Sequence, residues 1–179
     1  MLHYDHLIGI PFEHGVNDCY ELGRRFFKDN FNIEMTRYAR PDEWWRHSMN
    51  LYMENFMREG FELVENSHPT NLQPSDVFLC AIMSPVANHA AILLEDGEIL
   101  HHLFGRLSTK EPLRGLVKNT TVAVLRHKMV KYEPTLYTEN LIDKLPEQIR
   151  ARLQTDVLPQ RRDGEGESGV RSEEQADRS

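Results

Sequence analysis

The sequence predicts an α+β domain in which two helices precede a mainly antiparallel sheet. Helical patterns occupy the N-terminal part of the chain, and apolar runs of strand length begin only after Pro69. An Asp96-Gly97 turn separates two of these runs, and Asp-Gly between apolar segments is a strong hairpin signal. Helices grouped before strands are typical of this fold class.

The first helix is predicted to begin at Asp18. Asp18 and Glu21 have the spacing of a capping box, with Asp in the place of Ser or Thr. Cys19, Leu22 and Phe26 then recur at helical spacing and give the helix one apolar face. The pair Asp29-Asn30 is expected to end it.

A second helix is predicted over residues 41–59. Asp42 and Glu43 would lie in its first turn, where negative charge suits the helix dipole, and Gly60 follows its end. The apolar stripe of this helix would consist of Trp45, Met49, Tyr52, Met53 and Phe56.

Four strands follow, over residues 77–82, 90–94, 99–103 and 121–125. Each is an apolar run of strand length, and the Asp96-Gly97 turn would join the second to the third as a hairpin. The strands and both helices together place a folded domain at residues 1–130.

The remainder of the chain is predicted to be an appendage and a tail. Residues 131–159 contain short helical patterns, in which Pro146 marks a helix start and Ile149, Leu153 and Val157 repeat every four residues. Residues 160–179 are polar and glycine-rich, so they bury too little apolar surface to offset the entropy of ordering. We expect this tail to be disordered.

The composition excludes several classes of protein. The chain has 179 residues and a formal net charge of −7, which argues against a general nucleic-acid binder. Its two cysteines are too few for a disulfide scaffold or a four-cysteine zinc site. No apolar run approaches the roughly 20 residues of a membrane span, and the N-terminus lacks the layout of a secretion signal. We therefore expect a soluble protein made in a cytoplasm.

The two cysteines have different predicted roles. Cys19 follows the capping Asp18 in the first turn of a helix, where free N–H groups and the helix dipole stabilise a thiolate. A small buried apolar residue is an equally good interpretation of Cys19 on position alone. Cys80 lies inside the apolar run 77–82, so we expect an inert core residue.

Two of the nine histidines could complete a catalytic site with Cys19. His89 begins one strand of the predicted hairpin and His101 lies on the returning strand, so the two would be near neighbours across it. One histidine would pair with the Cys19 thiolate and the other would orient it, as in a cysteine acyl-transfer enzyme.

A metal site is the competing interpretation of these side chains. Cys19, His89, His101 and His102 could all be ligands, but no closely spaced ligand pair supports a zinc site. Adjacent residues of a strand point to opposite faces, so His101 and His102 cannot easily share one ion. We therefore predict no metal site.

Three blocks, the last of them in two segments, give the chain a resemblance to a known family. Residues 10–19 (IPFEHGVNDC) look like the approach to a nucleophile at a helix start, and residues 72–78 (LQPSDVF) are similar to a Pro-Gly-Asp-Leu strand entry. Residues 88–93 (NHAAIL) and 99–101 (ILH) are similar to two histidine blocks. Over residues 8–125 the chain resembles the NlpC family of cell-wall cysteine peptidases, which are small papain-like enzymes.

The resemblance implies a role for each site residue. Cys19 would be the nucleophile, His89 the general base and His101 the polar orienter, with no cofactor. The backbone N–H of Cys19 would donate to the oxyanion. Asp18, Phe12 and His14 are further candidates for contact with the substrate or the oxyanion. Phe12 stands where many members have tyrosine, so a hydroxyl is missing at that position.

The resemblance also implies a substrate and a setting. Family members cleave the peptide stems of peptidoglycan, and the aromatic Tyr20 after the nucleophile is similar to members from bacteriophage tails. A tail component would be made in the host cytoplasm, assembled into the virion and delivered to the wall, with residues 131–179 as contacts for other tail proteins. A structural tail-tip protein with a vestigial site and a bacterial cytoplasmic amidase are the alternatives.

Overall fold

A computed structural model describes residues 1–65, 67–131 and 146–147 of the protein. The elements given below lie within one unit, Met1–Pro134. The helical appendage predicted for residues 131–159 and the tail predicted for residues 160–179 fall outside the described residues, apart from residues 131 and 146–147. They stay predictions, as does the domain boundary at residue 130.

The fold is α+β, as the sequence predicts. Its helices are α1 (Cys19–Phe31), α2 (Leu51–Arg58) and α3 (Gly115–Thr120). Its strands are β1 (Phe61–Leu63), β2 (Val77–Cys80), β3 (His89–Leu93), β4 (Glu98–His101), β5 (Thr109–Pro112) and β6 (Thr121–His127). They form one sheet in the order β1-β6-β2-β3-β4-β5, and every neighbouring pair is antiparallel.

The four predicted strands correspond to β2, β3, β4 and β6. The hairpin between β3 and β4 is confirmed, because Leu93 pairs with Ile99 and the Leu94 N–H donates to the Glu98 carbonyl at 2.8 Å. The sequence did not reveal β1, β5 and α3. These elements are short, and β5 contains no apolar residue other than its terminal proline, so they give no periodic apolar signal.

Helix α1 begins where predicted and ends later than predicted. Asp18 is its N-cap, and the side-chain Oδ1 accepts from the N–H groups of Tyr20 and Glu21, each at 3.0 Å. The capping box is only half formed, because Glu21 pairs with Arg24 at 2.8 Å instead of returning to the cap. The helix continues to Phe31 and stops because Asn32 adopts a left-handed conformation with φ of 53°.

The prediction of one continuous helix over residues 41–59 is wrong. A short 3-10 helix spans Trp44–His47, Ser48 turns left-handed with φ of 55°, and α2 starts only at Leu51. The break lets Trp44 fold back onto Tyr52, with ring centroids 4.9 Å apart. In an unbroken helix these two residues would lie about 12 Å apart along the axis.

Successive side chains of a strand point to opposite faces of the sheet, so the sheet has one apolar cluster on each face. Val77 and Leu79 point to the side that holds α1, whereas Phe78 and Cys80 point to the opposite side. Cys80 has no exposed surface, and burial raises the pKa of its thiol. The prediction that Cys80 is a core residue is confirmed.

Candidate active site

Cys19 is the first residue of α1 and only 5% exposed. The next two amides of the helix, those of Tyr20 and Glu21, donate to the Asp18 carboxylate. The Cys19 N–H makes no hydrogen bond within the described residues. It is therefore the one amide of this first turn that remains available to a negatively charged oxygen beside the sulfur.

His89 and His101 are brought together by the β3–β4 pairing. Ala91 lies directly opposite His101, so His89 is the diagonal neighbour of His101 on the same face. The His89 Nε2 and His101 Nδ1 atoms are 3.2 Å apart, and one of these nitrogens donates to the other. This contact leaves the Nδ1 atom of His89 for another partner.

Glu111 lies on the far side of His101. One of its carboxylate oxygens is 3.3 Å from His101 Nε2, within ion-pair distance but without the alignment of a hydrogen bond. Glu111 belongs to the edge strand β5, directly opposite Ile99 on β4. The histidine pair is thus followed by a carboxylate that the sequence analysis missed, because β5 itself was not recognised.

The Cys19 sulfur bonds to a group that the sequence analysis did not select. The Tyr52 hydroxyl lies 3.1 Å from Sγ, and either atom can be the donor. No hydrogen bond joins Cys19 to His89 in the part of the chain that the structure describes. The expected thiol–imidazole hydrogen bond is therefore not formed among these residues, and the sulfur bonds to Tyr52 instead.

Burial keeps both reacting groups neutral in the free site. Desolvation, with a smaller contribution from the Asp18 carboxylate, raises the pKa of Cys19 to about 12. Desolvation, with contributions from His101 and His102, lowers the pKa of His89 to about 3. These shifts favour a neutral thiol over the thiolate expected at a helix N-terminus, because loss of water opposes the charged form; the pairing of Cys19 with a histidine stays a prediction.

Asp18 is held in place by several partners at once. Its Oδ2 atom accepts from the Gly15 N–H at 2.7 Å and from Arg40, whose side chain is fully buried. Burial favours the neutral acid, but Arg40 and the hydrogen bonds from the Glu21 and Gly15 amides outweigh it and lower the pKa of Asp18. Asp18 is therefore a helix cap and half of a buried ion pair.

A cleft of about 590 Å³ opens beside the sulfur, and we call it the Cys19 cleft. Its wall includes Phe12, His14, Asp18, Cys19, Tyr52 and His89. His101 is not among the described residues that line this cleft, and it contacts His89 behind the wall. A larger cavity of about 670 Å³ lies against Phe78, Leu93 and Val124, on the opposite face of the sheet. The Cys19 cleft is the candidate active site because it contains the thiol and the first histidine.

The remaining sequence candidates lie on the cleft wall. The Phe12 ring meets the rings of His102 and Phe104 edge to face, with centroids 5.3 and 5.1 Å apart. The His14 Nε2 donates to the Arg40 carbonyl at 3.2 Å, and its Nδ1 is 3.9 Å from Asp18. Phe12 thus forms an apolar part of the wall, whereas His14 supports the loop that carries Arg40.

Two further findings concern metal ions and membranes. Among the described residues, no group of three or more His, Cys, Asp or Glu side chains is placed to hold a metal ion. Within the same residues, no helix has both the length and the apolar character needed to cross a membrane.

Sequence comparisons show which proteins the chain is similar to. The model of the NlpC/P60 family matches residues 9–126. The chain is 43% identical over 126 residues to Tail tip assembly protein K of Escherichia phage lambda, covering 69% of this chain and 60% of that protein. It is 33% identical over 127 residues to Tail tip assembly protein K of Escherichia phage N15, covering 70% and 51%. The chain thus spans little more than half the length of these relatives, and it belongs to the NlpC/P60 family.

Proposed function

We propose that this protein is a cysteine peptidase that hydrolyses the peptide stems of bacterial peptidoglycan. In this proposal Cys19 is the nucleophile, His89 the general base and His101 the residue that orients it. The observation that carries the proposal is the His89–His101 contact of 3.2 Å in a cleft that also holds the thiol at the head of α1. Family membership supports the same reaction class.

The neutral state of the free site determines how the first step proceeds. As Cys19 Sγ attacks the carbonyl carbon, its proton moves to Nδ1 of His89, and the carbonyl electron pair moves onto oxygen. The free N–H of Cys19 donates to that oxygen. His89 then gives the proton to the leaving nitrogen, the C–N bond breaks, and a thioester on Cys19 remains.

Water completes the cycle. It attacks the thioester carbon and gives a proton to His89, and collapse of the adduct breaks the C–S bond. His89 returns the proton to the sulfur, and the product leaves as a carboxylic acid. In this proposal His101 holds the His89 ring through Nε2 during both steps, which leaves Nδ1 to exchange the proton with the reacting atoms.

The setting of the reaction is proposed from the relatives. Both are named as tail tip assembly proteins of phages. We place this protein in a virion tail by analogy, with other tail proteins as partners and residues 131–179 as the contact segment. Cleavage of stem peptides would then help the tail to pass through the cell wall.

The test is peptide release from purified peptidoglycan. The full chain, Cys19→Ala and the matched control Cys80→Ala are each incubated with it, and new amino termini are identified by mass spectrometry. We expect release by the first and third proteins and none by Cys19→Ala. Equal release by Cys19→Ala, or no release by any of the three, would contradict the proposal.

A structural role in tail-tip assembly is the second candidate. It is favoured by the names of both relatives and by the neutral Cys19 thiol. In that case the parent protein and Cys19→Ala would support assembly of infectious particles equally well, and neither would release peptides. A loss of infectivity confined to Cys19→Ala would instead favour the peptidase.

A further inference from the structure

The Tyr52 hydroxyl is the only side-chain hydrogen-bonding partner of the Cys19 sulfur within the described residues. It approaches from α2, a different element from the one that carries the nucleophile. Tyr52 is 3% exposed, yet it lies on the wall of the Cys19 cleft. A hydroxyl 3.1 Å from the sulfur and on the cleft wall is placed where it could contact a carbonyl that the sulfur attacks.

Packing fixes the Tyr52 ring in place. Trp44 lies 4.9 Å from it on one side, and Tyr20 and Phe56 lie 6.1 and 6.3 Å away, between ring centroids. The hydroxyl is therefore pre-positioned rather than free to swing, which is the condition for an efficient donor to developing charge. Burial also holds the pKa of Tyr52 well above its ordinary value, so the hydroxyl keeps its proton at neutral pH.

The structure assigns to Tyr52 a catalytic role: its O–H is the second donor of an oxyanion hole whose first donor is the Cys19 N–H. This inference rests on the proposed function, because it needs Cys19 to be the nucleophile. In the free site the hydroxyl bonds to the sulfur. When the S–C bond forms and the carbonyl electron pair moves onto oxygen, the hydroxyl transfers its hydrogen bond to that oxygen.

A simpler role makes a different prediction. If Tyr52 only holds the thiol, its loss would affect every reaction of the sulfur equally. If it donates to the oxyanion, its loss would affect acyl transfer far more than alkylation, because attack on iodoacetamide forms no oxyanion. Removal of one donor from an oxyanion hole reduces the rate by about 10²- to 10³-fold.

The experiment compares the two reactions in Tyr52→Phe. The full chain is acylated with p-nitrophenyl acetate, followed by release of nitrophenolate, and is separately alkylated with iodoacetamide under the same conditions. We expect acylation to fall about 10²-fold or more and alkylation to change less than about threefold. The matched control is Tyr38→Phe, which loses a hydroxyl bonded to Glu59 at 2.6 Å and should leave both rates unchanged.

The other possible outcomes would each contradict at least one of the two proposals. A parallel fall in both rates, or an acylation rate equal to that of the parent protein, would overturn the role of Tyr52. Both reactions use the same preparation of Tyr52→Phe, and its circular dichroism spectrum is compared with that of the parent protein, so that partial unfolding is detected separately. Because p-nitrophenyl acetate needs no peptidoglycan, failure to cleave stem peptides would refute the proposed substrate alone. Acylation of Cys19→Ala at the parent rate would refute both proposals.

Discussion

Removal of either partner of the Asp18–Arg40 pair should destabilise the protein strongly. Both side chains are almost completely buried, at 2% and 0% exposure, and breaking a buried pair leaves an uncompensated charge. Such a loss costs about 3–5 kcal/mol. Arg40→Met should cost about 3 kcal/mol, the lower end, because three amide N–H groups still bond to the carboxylate.

Asp18→Asn should cost about 4 kcal/mol, because the guanidinium then has no anion beside it. It keeps the Tyr38 carbonyl at 3.3 Å and the Tyr20 ring, whose centroid is 4.8 Å from Cζ, and its Nε has no partner within the described residues. The asparagine side chain can still cap α1, so this variant isolates the charge. The double variant contains no buried charge at this position. Its cost should therefore be lower than the sum of the two single costs by about 3 kcal/mol.

The assay is urea unfolding of the four proteins of this double-mutant cycle. At a slope of about 2 kcal/mol per molar urea, a loss of 3 kcal/mol lowers the midpoint by about 1.5 M. Additive costs, or single-variant costs below about 1 kcal/mol, would refute the reasoning. Arg126→Met is a matched control. It removes a bidentate partner of Asp76, and neither residue lines the Cys19 cleft, so it should lower the midpoint without changing alkylation of Cys19.

Three further predictions follow from the core and the histidines. Phe61→Ala should cost about 3–5 kcal/mol in urea unfolding, whereas Leu63→Ala on the same strand, 53% exposed, should cost less than about 0.5. Burial lowers the pKa of His127, whose Nε2 donates to a carbonyl and whose Nδ1 accepts from an amide. As the pH falls, His127 therefore takes up a proton in the unfolded chain at a higher pH than in the folded chain. The free energy of unfolding should fall as the pH drops below about 6.5, and it should fall less steeply in His127→Gln. Equal slopes for the two proteins would contradict this prediction. Burial depresses the pKa of His101, and the Glu111 carboxylate opposes this depression. Glu111→Gln should therefore lower the pKa of His101 further, as measured by an NMR titration. An unchanged pKa would exclude the contact between the two side chains.

Much of the candidate site could be predicted because its parts are local. The His89–His101 contact spans 12 residues and depends only on one hairpin, whose turn the Asp96-Gly97 pair predicts. The start of α1 likewise depends on Asp18 and the next three residues. Short-range backbone preferences determine both features, so single-sequence patterns were sufficient.

The helix predicted over residues 41–59 shows where such patterns stop working. Its residues have helical spacing, but burial of Trp44 against Tyr52 requires the chain to turn at Ser48. Packing against distant parts of the chain outweighs a weak local preference. The same break determines where the Tyr52 hydroxyl lies, so the sulfur's actual partner could not be read from the spacing of apolar residues.

The sequence by itself determined which residues were candidates for chemistry: Cys19 at a helix start, and His89 and His101 across one hairpin. Only the tertiary structure decided their surroundings. Tyr52 and Arg40 come from parts of the chain outside α1 and the hairpin, and Glu111 comes from β5, which the sequence did not reveal. The tertiary structure also decided the protonation states, because a pKa depends on how much water is excluded from all sides of a group. A helix N-terminus favours a thiolate locally, but burial raises the pKa of Cys19 and leaves a neutral thiol.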